Sequence, residues 1–254
     1  FKAICSYLFS GKKETWLYLL IYGGGLTAFY ALASGGKLVD GALVSFPGFF
    51  IYCIVLSGGI EEFGWRGFLQ PALEKKFSFF VSTLMTGIIW AIWHIPLWFY
   101  DRFYDRSQNP FLVYIIVTIV QSIWFAALHK KTKSVLACMI FHALLDILIE
   151  TFVGINLADK FDFSQVNSLI YLGGLGILTL YSIYLWYRAD KEEKNAWLKN
   201  MNKLILKLKG DCTNYLNLAH VNLWVEQKGN AMKKSILIIL LTILTLGIFR
   251  PSAV

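Results

Sequence analysis

Two carboxylates and a guanidinium interrupt an apolar stretch at IEEFGWRGFL, residues 60–69, directly after a run from Ala42 that carries no charge. An ionisable group in hydrocarbon is costly and by default marks a functional site. Comparable groups recur twice: His94 in WAIWHIPLW, and His142 with Asp146 in CMIFHALLDIL. Glu150, one further turn along, is more ambiguous. Residues four apart on a helix share a face, so Glu62 and Arg66 suit an internal ion pair that keeps Glu62 ionised and orients its helix. Glu61, rotated by about 100°, is left to face something else. His142 and Asp146 repeat the spacing, so the carboxylate either fixes the histidine tautomer or projects beside it into a common cavity. Trp90, one turn before His94, walls the same face.

These residue types form a plausible hydrolytic set. A carboxylate removed from water becomes a better base near neutral pH, so Glu61 can take a proton from water as it attacks a carbonyl. His94 can hold that water. His142 and a protonated Asp146 can donate hydrogen bonds to the oxyanion. No Ser or Cys sits in an obvious nucleophile setting and there is no His-Glu-x-x-His, which disfavours a covalent mechanism and a zincin-type site. Taken singly, each residue also has a plain structural use: an ion pair can pin two helices, and a histidine can be a satisfied core residue.

The elements that must position them are membrane helices. Of 254 residues, 57% are hydrophobic, 17% aromatic and only 16% charged, a membrane-protein composition. Runs long enough to cross about 30 Å of hydrocarbon occur at Trp16–Ala33, Ala42–Ile60, Phe77–Tyr100, Phe111–Leu128, Ser134–Ile155 and Ser168–Tyr187. They lack a period of two and their connections are short, so the expected fold is all-α: a polytopic transmembrane helical bundle of six spans, with a short seventh candidate near the C-terminus. If the Ala42 helix runs on to about Leu73 and turns at Lys75–Lys76, Glu61 lies 15 residues before that turn and His94 18 after it, nearly level. His142 and Asp146, 9 and 13 residues past Lys133, reach roughly 14 to 20 Å inward from the same side. One site at mid-membrane depth is feasible.

Charge sets the expected orientation, because Lys and Arg in short loops are retained on the cytoplasmic side. Segments 1–15, 61–76, 129–133 and 188–234 together hold 19 Lys and Arg, whereas 34–41, 101–110 and 156–167 hold 4. Both ends of the six-helix unit are therefore expected in the cytoplasm, as an integral protein of a bacterial cytoplasmic membrane. The net charge of +8 is mostly this bias plus a basic tail, and nucleic acid is not an expected partner. Cys5, Cys53, Cys138 and Cys212 show no CxxC spacing and read as reduced and structural.

Three segments are expected: 1–187 as the domain that carries this hydrolytic set, with a motif core at about 45–155, then 188–210 and 211–254. In the second, Trp197, Leu198, Met201, Leu204, Ile205 and Leu208 alternate with Lys199, Lys203, Lys207 and Lys209 as in an amphipathic helix on anionic lipid, or a solvated basic tail. In the third, a polar stretch leads to MKKS and a 15-residue apolar run ending at Phe249, short for a span. It resembles the start of a secretory signal and is expected to be dispensable.

At the quoted motifs a resemblance becomes specific. EEFGWRG looks like the Glu-Glu-x-x-x-Arg motif of the CAAX prenyl protease and bacteriocin-processing (CPBP, Abi) family of intramembrane endopeptidases. WAIWH resembles its Phe-x-x-x-His, and HALLD its His-x-x-x-Asn or Asp. The resemblance implies a largely eight-helix membrane fold with Glu61 as the water-activating base and His94 helping to position water. It implies His142 and Asp146 as oxyanion partners and Glu62 with Arg66 as supports. Trp90 replaces the usual Phe, a change expected to matter little, and Asp146 stands where Asn is common, so its role depends on protonation. The family also carries a metallopeptidase label. No cofactor is required in the leading reading, but a divalent metal such as zinc would take Glu61, His94 and His142.

The implied activity is cleavage of a peptide or membrane-protein substrate, lipidated or not, near the cytoplasmic face of the bilayer. Two other classes stand beside it: a non-catalytic immunity or assembly factor, and a transporter using Glu61, Glu62 and Arg66 as an ion or proton relay. The chain shows no repeated halves with matched broken helices, which weighs against transport. Reporter fusions after Lys133 and Lys191 are expected to read cytoplasmic, and fusions near Ser107 and Asp162 external; inverted readings would overturn the orientation.

Overall fold

The computed structural model describes residues 8, 10–96, 111–152 and 166–211, with side chains at 166–168 and 204–211 left aside. Two units divide the chain, Phe1–Lys194 and Asn195–Val254. Helix α1 spans Thr15–Ala33 and ends at a turn whose Gly35 and Gly36 take φ of 63° and 75°, a conformation that glycine adopts without penalty. Helices α2 (Ala42–Leu56), α3 (Gly58–Gly64) and α4 (Gln70–Glu74) follow, with a π-helical turn at Trp65–Leu69 between the last two. Helix α5 is Phe79–Trp93, α6 Phe111–Thr132, α7 Val135–Thr151 and α8 Val166–Asp211.

The second apolar run does continue past Ile60 to Glu74, as the charge pattern requires, but as a broken rod. Ser57 leaves helical geometry at φ −122° and ψ −141°, and the backbone N–H of Gln70 reaches back to Trp65 O across the wider π turn. Such one-turn bulges recur at functional sites. The break and the bulge bracket Glu61, Glu62 and Arg66.

The third expected span stops early. Helix α5 ends at His94, and Pro96 two residues on disfavours helical continuation. Four helical stretches are long and apolar enough to cross a membrane: Thr15–Ala33, Ala42–Glu74, Phe111–Thr132 and Leu169–Lys203. Helices α5 and α7, with 15 and 17 residues, are shorter. The count of six full spans thus becomes four long helices and two shorter ones among the described residues.

The bundle is organised inside out. Its outer surface carries Leu20, Val44, Leu56, Phe68 and Leu112, each at least 68% exposed, as suits contact with lipid tails. Polar side chains lie inside: Glu62, Arg66, Gln70, Ser82, Thr86, Thr118 and Ser122 are buried. Helix α7 packs against α1, α2, α3 and α6, and α5 pairs with α6. Because lipid offers no hydrophobic drive between helices, cross-helix hydrogen bonds and close approach hold the bundle. Tyr22 Oη and Ser182 Oγ meet at 2.7 Å, and Trp124 Nε1 donates to Thr179 Oγ1 at 2.9 Å, tying α1 and α6 to α8.

The basic end of α6 is paired. Lys131 Nζ lies 2.6 Å from both oxygens of Glu192, Lys130 contacts Asp190 and Glu193, and Lys133 lies 2.7 Å from Glu193. In the second unit, the helix continues to Asp211, with Trp197, Leu198 and Met201 half-buried and Lys199 and Lys203 exposed. Leu204, Ile205 and Leu208 as side chains, and the apolar run at 235–249, lie outside the described residues, as do Cys5, Cys212, Ser107 and Asp162.

Gly87 lets α5 and α6 approach: a Cβ there would stand 2.9 Å from Ser122 Cβ and 3.2 Å from Ile119 Cα. Overpacking of this kind costs about 1 to 3 kcal/mol. Gly87→Val is expected to lower the thermal midpoint of the detergent-solubilised protein, whereas Gly24→Ala, whose added methyl meets nothing within 4 Å, is expected to leave it unchanged.

Candidate active site

Arg66 and Glu62 form the predicted pair, Nη1 to Oε1 at 3.0 Å, with neither side chain reached by solvent. The same Oε1 also meets His142 Nδ1 at 2.9 Å. One carboxylate oxygen thus joins the first motif to the last. Since Glu62 accepts, His142 Nδ1 carries a proton and Nε2 is the nitrogen turned away from the pair. Glu62, and not Asp146, fixes this ring. Asp146 Oδ1 stands 3.8 Å from His142 Nε2, beyond hydrogen-bond reach, so Asp146 projects beside the ring.

The guanidinium is held by residues that no motif announces. Arg66 Nη2 donates to Ser122 Oγ at 3.0 Å, and Ser122 Oγ donates to Thr83 O at 3.1 Å. The rings of Phe125 and Trp90 flank Arg66 Cζ at 4.7 and 5.2 Å, a cation–π setting for a desolvated guanidinium. Phe125 and Trp90 also each sit 5.1 Å from the His142 ring. Gln121-Ser122, a polar pair inside the apolar run of α6, was the sequence signal for Ser122. Phe125 gave none, because an aromatic on an apolar helix is the ordinary case.

Glu61 is half-buried and faces away from this pair, as its rotation predicts. Its Oε2 accepts from Trp65 Nε1 at 3.2 Å and from Trp90 Nε1 at 2.9 Å. Trp90, expected only to wall the face, is a hydrogen-bond donor to the candidate base. Glu61 lies within electrostatic range of His94, His142 and Asp146. His94 caps α5, and its Nδ1 donates to Trp90 O at 2.8 Å, which leaves Nε2 as the acceptor. All six sequence candidates therefore gather in one place, while Glu150 stays exposed on the flank.

Gly58 closes the floor. A Cβ there would fall 2.5 Å from both His142 Nε2 and Asp146 Oδ2, so only glycine fits where α3 begins, and the Gly58 backbone N–H bonds the Asp146 carboxylate. Glu61, His94 and His142 were the candidate metal ligands. Among the described residues no three His, Cys, Asp or Glu side chains gather as an ion requires. Two indole N–H groups also point at Glu61 Oε2, where a cation would have to displace them.

A helical bundle with an apolar exterior and a buried carboxylate–imidazole–guanidinium cluster defines an integral membrane protein with a polar site inside it. Residues 43–148 match the family model of type II CAAX prenyl endopeptidase Rce1-like proteins, so this segment of the chain is similar to that family. It is 29% identical to CAAX prenyl protease 2 of Methanococcus maripaludis over 106 residues, 38% of each chain. It is 25% identical to lysostaphin resistance protein A of Staphylococcus haemolyticus over 195 residues, 72% of this chain and 52% of that one. The matched segments thus span 38% and 52% of these curated relatives. No solved structure matches.

Removing one partner of a buried ion pair costs about 3 to 5 kcal/mol. Arg66→Ala leaves Glu62 unpaired and is expected to reduce folded yield and thermal midpoint sharply in fluorescence-detected gel filtration. Glu61→Gln, outside that pair, is expected to elute and melt like the parent.

Proposed function

We propose that the protein is an intramembrane endopeptidase of the CAAX protease type, in which Glu61 activates water for attack on a peptide bond. The observation that carries this reading is the Glu61 carboxylate, held by two indole N–H donors within electrostatic range of His94, His142 and Asp146. Glu61 takes the proton from water as its oxygen attacks the carbonyl carbon, and later returns it to the leaving amine. His94 Nε2 accepts a hydrogen bond from that water. The developing oxyanion sits between His142 Nε2 and Asp146, whose 3.8 Å separation leaves room for one oxygen accepting from both. That arrangement requires a proton on each: His142 doubly protonated, with Nδ1 against Glu62, and Asp146 as the acid.

The basic asymmetry supports a site that opens towards the cytoplasm with both ends of the helical unit on that side. Arg66 is buried in the site and leaves the loop count, which becomes 18 against 4. Substrates are peptides or membrane proteins presented in the bilayer, and the reaction needs no metal in this reading. A non-catalytic immunity or assembly role is the second reading, favoured by the longer match to lysostaphin resistance protein A.

Peptides released in membranes carrying the native chain or Glu61→Gln separate the two by mass spectrometry. The peptidase reading predicts a set of cleavages lost with Glu61→Gln at unchanged protein level. Chelation is expected to leave them intact, and reversible loss of both metal and cleavage on chelation would establish the metal-dependent alternative. Cleavage that persists in Glu61→Gln, or none in the native membranes, would leave the immunity or assembly role.

A further inference from the structure

Trp90 touches both groups proposed to handle the attacking water. Its indole Nε1 donates to Glu61 Oε2 at 2.9 Å, and its backbone oxygen accepts from His94 Nδ1 at 2.8 Å. Trp65, one turn after Glu61 on its own strand of helix, donates to the same Oε2 at 3.2 Å. Two N–H donors on one oxygen fix the carboxylate's rotation about its last bond and occupy Oε2. The other oxygen, Oε1, has no donor among the described residues and keeps its lone pairs for a proton. The backbone contact fixes the imidazole in the tautomer whose free nitrogen is Nε2.

Neither contact is an accident of exposure. Trp90 is 3% exposed, its ring packs edge-on against His142 and Phe125 at 5.1 and 5.7 Å, and its face lies 5.2 Å from Arg66 Cζ. A phenyl ring could make those packing contacts. It could not supply the N–H. Trp65 is held edge-on by Trp93 with ring centres 6.4 Å apart, which limits its freedom to swing away from Glu61.

We infer that Trp90 and Trp65 form an indole clamp that positions the Glu61 carboxylate, so that one defined oxygen faces the water and the reaction depends on the two N–H groups and not on the aromatic bulk. The inference rests on the peptidase reading for its consequence in turnover, but the clamp itself is a property of the resting protein. Both tryptophans are positioning residues, since they act on the reaction through Glu61.

The test uses the full-length protein in lipid nanodiscs and a quenched fluorogenic peptide built on a cleavage site found in native membranes. Trp90→Phe is expected to lower kcat roughly tenfold to a hundredfold with KM within about twofold, the range expected when a charge-assisted hydrogen bond that orients a reacting group is lost. Trp65→Phe, at the longer distance, should lose less, and Trp16→Phe, 66% exposed on α1, should lose nothing. The contact itself is read by the indole N–H resonances of 15N-tryptophan-labelled protein, assigned by the two Phe variants. Both are expected to move upfield in Glu61→Ala, where the acceptor is gone. Resonances that stay in place would overturn the clamp whatever the kinetics show. Resonances that move while Trp90→Phe keeps full kcat would overturn the positioning role. If the native protein cleaves no peptide, the peptidase reading and the positioning role fail together, and the resonances still decide whether the clamp exists.

Discussion

A single oxygen, Glu62 Oε1, receives both Arg66 and His142 in a place that solvent does not reach. An isolated charge there would be intolerable, and even a pair repays its desolvation only when hydrogen bonds satisfy the rest of each group. Much of the bundle is arranged to provide them. Arg66 donates to Ser122 and Ser122 to the Thr83 carbonyl, while Thr83 Oγ1 accepts from Gln70 Nε2, which also donates to Glu74. This chain of contacts joins α4, α5 and α6 to the glutamate on α3, and His142 adds α7. The polar interior is therefore the element that specifies how the helices meet, while the apolar exterior only requires that they be helices.

That division of labour explains why the two adjacent glutamates have different uses. Glu62 points into the packed core and is consumed by structure. Glu61, about 100° around the helix, meets indoles and imidazoles and keeps one oxygen free of donors among the described residues. Among the described residues Glu62 Oε2, Arg66 Nε, Gln70 Oε1 and Ser82 Oγ find no hydrogen-bond partner. Buried polar atoms of this kind ordinarily bind water.

Local breaks in the second apolar rod do the aiming. The interruption at Ser57 brings Gly58 against His142 and Asp146, so closely that no side chain fits. The π turn at Trp65–Leu69 lies just beyond, in the stretch that supplies both Trp65 and Arg66. Irregular backbone in a membrane protein is tolerated where it faces a protein interior or a cavity instead of lipid, and here both irregularities lie at the site.

What the sequence determined by itself was whatever depends on local spacing and on the cost of charge in hydrocarbon. The helical class, the Glu62–Arg66 pair and the continuation of the second helix to the Lys75–Lys76 turn followed from periodicity and length, which also made one depth for Glu61, His94, His142 and Asp146 feasible. The tertiary structure decided which partner each polar atom takes. Whether His142 leans on Asp146 or on Glu62, whether Trp90 is a wall or a donor, and that Ser122, Thr83 and Phe125 enclose the guanidinium all depend on how helices distant in sequence are rotated against one another. The early end of α5 at His94 also belongs to this second group, because an apolar run shows where a helix is permitted and the backbone at a histidine cap before Ile95-Pro96 shows where it stops. Helix spacing fixes neighbours four residues apart, whereas contacts between residues 29 or 80 positions apart are set by the crossing and rotation of packed helices, which no single helix's sequence contains.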